Sequence, residues 1–209
     1  MIGVYRTFVL SYLGRADEAR AIGESTVATC RERQFAGQTM MGLMATGTAL
    51  GQLGQAAEGA RLVEECIALQ ESAGAHSDRG MMLYLLAQLR GASGRLEDAE
   101  RAADEARGYV ERNREEGYGA WLAWVRGGLA RARGDRTRAG VEWRAALAEA
   151  ERLRLALLAA HCRLMLGLLH RDIDDANAAR RELGAAAGAF RAIGVTPRAA
   201  EAAEALATM

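Results

Sequence analysis

The sequence predicts an all-α protein, a solenoid of about five antiparallel helix pairs followed by one more helix at its C-terminal end. Three observations carry that prediction. The first is composition: alanine is abundant, β-branched residues are few, and Pro197 is the single proline, a balance that favours helix. The second is a recurring glycine. Gly14, Gly54, Gly94 and Gly134 stand 40 residues apart, in LSYLGRADEAR, LGQLGQAAEGA, RGASGRLEDAE and ARARGDRTRAG. One further period reaches Asp174, in HRDIDDANAAR. The third is the grammar around each turn. An apolar stretch precedes it and a charged amphipathic stretch follows. Glycine accepts positive φ without a Cβ clash, so each block reads as two helices folded back on each other.

The elements follow in order. First helices are expected near residues 2–13, 38–53, 78–93, 118–133 and 156–171. Second helices are expected near 17–33, 56–72, 96–113, 136–153 and 175–193. The repeats then run over 1–36, 37–76, 77–116, 117–155 and 156–194, and residues 1–209 count as one domain. Ser77 suits an N-cap ahead of Asp78. The junction ERLRLALLAAH carries no helix breaker, so that boundary has no local signal. In the tail, Gly194 ends a helix, Thr196 reads as an N-cap, and Pro197 suits the first helical position of a capping helix over 197–208.

Small residues recur in the same register. Five after each turn come Ala19, Gly59, Ala99, Ala139 and Ala179; seven further on come Thr26, Cys66, Ala106, Ala146 and Ala186. Seven before each turn come Thr7, Gly47, Ala87, Gly127 and Gly167. Such positions let two helix backbones approach closely. This pattern resembles the tetratricopeptide repeat (TPR) family, with its small residue midway along the first helix, glycine at the turn and alanine twice on the second helix. The period of 40 exceeds the family's usual 34. Large first-helix slots are also replaced, by Arg6, Thr46 and Arg126 at one position and by Arg90 and His170 at another. The long repeat is similar to the C-terminal repeats of bacterial signalling ATPases, those of MalT-like regulators and of regulators linked to adenylyl cyclase. The resemblance implies a right-handed superhelical solenoid. HEAT or armadillo repeats share the period but do not account for the glycine-then-alanine spacing.

Charge and composition exclude several classes. Arg plus Lys equals Asp plus Glu at 27 each, which leaves no electrostatic footprint for nucleic acid. No apolar run approaches the ~20 residues of a membrane span, and no basic-then-apolar leader opens the chain. Three cysteines, Cys30, Cys66 and Cys162, lie in separate repeats with no CxxC, which suits a reducing, cytoplasmic setting. The glycines of GLMATGTALGQLG sit at helix-packing positions with no Lys-Ser/Thr after them, so no phosphate loop is expected. His76, His161 and His170 do not share a face with other ligands. In LEDAERAADEARGYVERNREE the pairs Glu97–Arg101 and Arg107–Glu111 read as i,i+4 support for a solvated helix face. The expectation is a non-enzymatic chain with no cofactor and no metal site.

Two features point outward. First helices line the concave surface of stacked hairpins, and the resemblance places Met41, Met44 and Thr48, then Met81, Tyr84 and Gln88, then Trp121, Trp124 and Arg131, then His161, Leu164 and Arg171 on it. These residue types are enriched in recognition surfaces. The strip reads either as a groove for a protein or peptide partner or as ordinary core. The other feature is the N-terminal helix, where Ile2, Val4, Phe8 and Val9 are expected on the open end of the stack. Such an end calls for a cover, by an N-terminal domain, a second copy or a partner. The expected function is an interaction scaffold; the alternative is an effector-sensing segment of a larger transcription regulator or signalling ATPase.

Overall fold

The computed structural model describes residues 2–74 and 78–209. Among the described residues the chain forms eleven helices and no strand. They fall into two compact units, Met1–Tyr109 and Val110–Met209, each taken by itself below. The first holds α1 (Ile2–Tyr12), α2 (Ala16–Glu32), α3 (Ala36–Gln52), α4 (Ala56–Ser72), α5 (Arg79–Ala92) and most of α6 (Leu96–Asn113). The second holds α7 (Glu116–Ala132), α8 (Arg136–Arg152), α9 (Ala156–Asp172), α10 (Ala176–Ile193) and α11 (Thr196–Ala207). In the first unit α3 packs on α1, α2 and α4, and α5 packs on α4. In the second, α8 packs between α7 and α9, and α10 between α9 and α11. Ser77 and His76 lie outside the described residues.

One backbone device joins the helices. At each glycine turn the residue is left-handed, with φ from 75° at Gly14 to 83° at Gly134, and Asp174 takes the same region at 60°. The amide two past the helix end returns to a carbonyl of the last turn: Arg15 N to Leu10 O at 2.9 Å, Gln55 N to Leu50 O at 2.8 Å, Asp175 N to His170 O at 2.9 Å. This is the Schellman closure, which satisfies carbonyls that the helix leaves open. The junctions between hairpins use the same device. Gln34, Gly74, Arg114, Arg154 and Gly194 all have positive φ, again 40 residues apart and 20 from the first set. Phe35 N, Glu115 N, Leu155 N and Val195 N donate to Cys30 O, Val110 O, Ala150 O and Phe190 O. The breaker missing from ERLRLALLAAH is therefore Arg154 at φ 57°. Its strain is held by the returning bond and by Leu155 packing with Ala150.

Small residues are where backbones meet. A Cβ built on Gly47 would stand 2.8 Å from the carbonyl oxygen of Gly59, and one on Gly59 would stand 2.5 Å from that of Gly47. Ala19, Ala99, Ala139 and Ala179 are fully buried, as are Cys66, Ala106, Ala146 and Ala186. Where the first-helix slots turn polar, ion pairs absorb the charge. Arg90 reaches Glu64 at 3.0 Å and Arg126 reaches Glu142 at 3.0 Å. Thr46, fully buried, donates to Gly42 O at 2.7 Å.

Several expectations are corrected. Val195, not Thr196, precedes α11, and Pro197 lies one residue inside it. In α6 Arg101 pairs with Asp98 and Arg107 with Asp104, both at i,i+3, instead of with Glu97 and Glu111. The side chains of shorter aspartates one turn away are the nearer partners. On α1, Val4 is core at 1% exposure and Phe8 is half-buried, whereas Ile2 and Val9 point outward together with Tyr5 and Tyr12. Residues 2, 5, 9 and 12 share one helical stripe, and Val4 falls opposite it, toward the hairpin interior.

Candidate functional site on the first helices

The 40-residue register brings Met41, Met81, Trp121 and His161 to equivalent positions on α3, α5, α7 and α9. All four are half-buried. Repetition of the hairpin thus puts large, partly open side chains at the same place in successive repeats. In the first unit Met44 and Tyr84 are buried, at 2% and 5% exposure. They can form only the floor beneath Met41 and Met81. Thr48 and Gln88 are half-buried, and the Thr48 hydroxyl donates to Met44 O at 2.9 Å.

The second unit holds the richer cluster. Trp121 and Trp124 meet edge to face with ring centroids 5.9 Å apart. His161 of α9 lies 6.1 Å from Trp121 and 5.6 Å from Trp124. Phe190 of α10 closes on the far side of His161 at 5.0 Å, also edge-on. These are the separations at which aromatic pairs attract beyond simple burial. Both indoles keep part of their surface open. The Trp124 Nε1 is shielded and has no hydrogen-bond partner among the described residues. Its carbonyl accepts from Trp143 Nε1 at 3.0 Å. Trp143 is fully buried, and only glycine at 127 leaves room for it, because a Cβ there would lie 2.3 Å from the indole nitrogen. Trp143 therefore anchors the backbone beneath Trp124.

Burial, and to a lesser degree the positive charge of Arg198, pushes the His161 imidazole down to about 3. The ring is neutral across the physiological range and behaves as one more aromatic surface. Arg131 is engaged: it pairs with Asp172 of α9 at 2.8 Å. One equivalent place in the first unit is also tied, Gln52 Nε2 donating to Ser11 O at 2.9 Å. Arg131 thus links successive first helices. Leu164 is buried and Arg171 is exposed. Phe190 and Arg198, absent from the sequence expectation, come from α10 and α11. Neither carries a periodic signal, since the residues equivalent to Phe190 are Cys30, Gln70, Val110 and Ala150.

Among the described residues no three His, Cys, Asp or Glu side chains converge as a metal site, and no helix is long and apolar enough to cross a membrane. Cys30, Cys66 and Cys162 are buried free thiols. Burial pushes Cys66 and Cys162 up to about 12, which removes thiolate character near neutrality.

Comparison with solved structures defines the class of fold. BtubC (BKLC) from P. vanneervenii matches with a TM-score of 0.63 at 15% identity, over 92% of this chain and 90% of that one. A Podosopora anserina protein of nearly identical TPR-like repeats matches with a TM-score of 0.54 at 16% identity, over 90% of this chain and 92% of that one. A point variant of that protein matches with a TM-score of 0.55. The described residues have an all-helical, TPR-like repeat fold. No protein-family model matches the sequence, and no curated protein matches it.

Proposed function

We propose that the chain is a non-enzymatic interaction module that holds an apolar peptide or amphipathic helix on the open faces of its first helices. The observation that carries this reading is the cluster of Trp121, Trp124 and His161, two partly exposed indoles packed on a largely buried imidazole, over a backbone anchored by a buried tryptophan. Rigid aromatic surface of this kind supplies contact area at low entropic cost. Met41 and Met81 occupy the equivalent positions in the first unit and would adapt to varied side chains. A peptide laid against the Trp121 cluster would bury its own apolar residues on the rings.

The test is selection of 12-residue peptides from a displayed library on the intact chain. Selected peptides should shift the indole emission and lose affinity at least about tenfold with Trp121→Ala, as expected for an aromatic anchor. That variant should keep the parent's helical circular dichroism at about 20 °C, while loss of the ring contacts with Trp124 and His161 lowers its melting temperature. Peptides that bind equally well to Trp121→Ala, or failure to select any, would count against the site. A second reading, a regulatory segment of a larger transcription regulator or signalling ATPase, draws support from the outward apolar face of α1, which suits contact with another domain. Cytoplasmic residence fits either reading through the buried, unpaired thiols.

A further inference from the structure

The Trp121 cluster contains a side chain whose polarity the fold does not use. His161 is held by rings, with centroids 6.1 Å away at Trp121, 5.6 Å at Trp124 and 5.0 Å at Phe190. Among the described residues its imidazole makes no hydrogen bond and no ion pair. The neighbouring Trp124 Nε1 does not serve it, being itself without a partner. His170 differs, with Nδ1 3.5 Å from Asp175 Oδ2. A neutral imidazole carries one N–H donor and one bare nitrogen that accepts. Ringed by aromatic faces, the N–H has weak acceptors beside it. The bare nitrogen has no donor, and leaving it unmatched in a largely buried place is costly. Packing does not call for such a residue. The equivalent positions of α3 and α5 are filled by Met41 and Met81, which bring no comparable acceptor.

The surroundings say what would match it. Leu157, one turn before His161 on α9, and Leu168, two turns after it, are half-buried on the same side of the helix. With the two indoles they frame one open acceptor in apolar surface. Arg198 of α11, the charge felt at the ring, is already paired with Glu201. Building on the peptide-binding reading above, we infer that the occupant is an extended stretch of peptide, one of whose main-chain N–H groups donates to the bare nitrogen of His161 while the indoles and leucines take its apolar side chains. An extended segment brings free amides onto an apolar surface and must find partners for those it buries. An amphipathic helix has its amides paired internally and would leave the ring as unmatched as before. The unmet needs of ligand and site are thus complementary.

The test uses the intact chain and two probes of fixed structure. N-acetyl-leucine N-methylamide is a single apolar residue between two peptide bonds. Its analogue methylated on both nitrogens keeps the carbonyls and the side chain and has no N–H. Binding is read from indole emission and from the imidazole nitrogen resonances that vanish in His161→Phe. The first probe should bind about fivefold more tightly, the usual net worth of one hydrogen bond, and should shift those resonances. In His161→Phe, which keeps a ring, the two probes should bind alike. In the peptides selected on the intact chain, methylating one backbone N–H should cost the same factor. Equal binding of the two probes by the parent chain would overturn the inference, and so would a preference that survives His161→Phe. A selected peptide that depends instead on an Asn or Gln side chain at the ring would assign it to a carboxamide and overturn it too. In each of these outcomes, binding that still falls with Trp121→Ala keeps the aromatic site itself. Absence of binding by probes and selected peptides alike would remove the site and the inference together.

Discussion

Helices α1 and α9 hold the same place in their repeats and meet opposite surroundings. On α9, Cys162 and Leu169 are buried and seated on the preceding hairpin. On α1 the equivalent Ile2 and Val9 face outward. The opposite sides of the two helices are alike: Val4 and Leu10 of α1 and Leu164 of α9 are all core. A helix of this fold thus carries two apolar stripes, one for its own hairpin and one for the hairpin before it. The first is satisfied locally. The second depends on a neighbour.

The sharpest way to break the comparison is to charge both helices at the shared position. Leu169→Glu should cost roughly 3 kcal/mol or more in urea denaturation, because it buries an unpaired carboxylate. Val9→Glu should stay within about 0.5 kcal/mol, as an exposed substitution does. Equal losses would show that α1 is covered in solution.

A second contrast is acid sensitivity. His161 is held well below its unfolded value of ~6.5. Between that value and about 3 the unfolded chain binds the proton and the folded chain does not. Stability is therefore unaffected above pH ~6.5 and falls as pH drops toward the folded value, by up to roughly 1.4 kcal/mol per pH unit. Replacement by the residue at the equivalent position of α3, His161→Met, should flatten the urea midpoint between pH 6.5 and 4. An unchanged slope would place the acid sensitivity elsewhere.

The smallest effect concerns the turns. Arg154 and Asp174 hold φ of 57° and 60°; the Arg154 position is glycine at 74 and 194, and the Asp174 position is glycine at 14, 54, 94 and 134. Arg154→Gly should raise stability by about 1 kcal/mol or less, by relieving left-handed strain. Asp174→Gly should gain less, since aspartate tolerates that region. A loss in both would mean that the side chains contribute more than the backbone costs.

The legibility of the fold follows the same division. Gly14, Gly54, Gly94 and Gly134 announce turns within hairpins because four of the five carry the residue that the conformation prefers. The junctions at Gln34, Arg114 and Arg154 are the same turn without the marker. Any residue can be driven there by returning hydrogen bonds and packing, so composition does not reveal them. At the site, the register that aligns Met41, Met81, Trp121 and His161 is legible. That Met44 and Tyr84 lie beneath it is not, and neither is the arrival of Phe190 from another helix.

What the sequence determined alone is the periodic part: helix pairs, turns at a spacing of 40, and small residues where backbones must touch. Local sterics and helical geometry set these within one hairpin. What only the tertiary structure decided is which apolar stripe is covered, which arginine is a link and which ring is open. Burial is a property of neighbours, and Val4 and Val9 are the same residue on one helix with opposite environments.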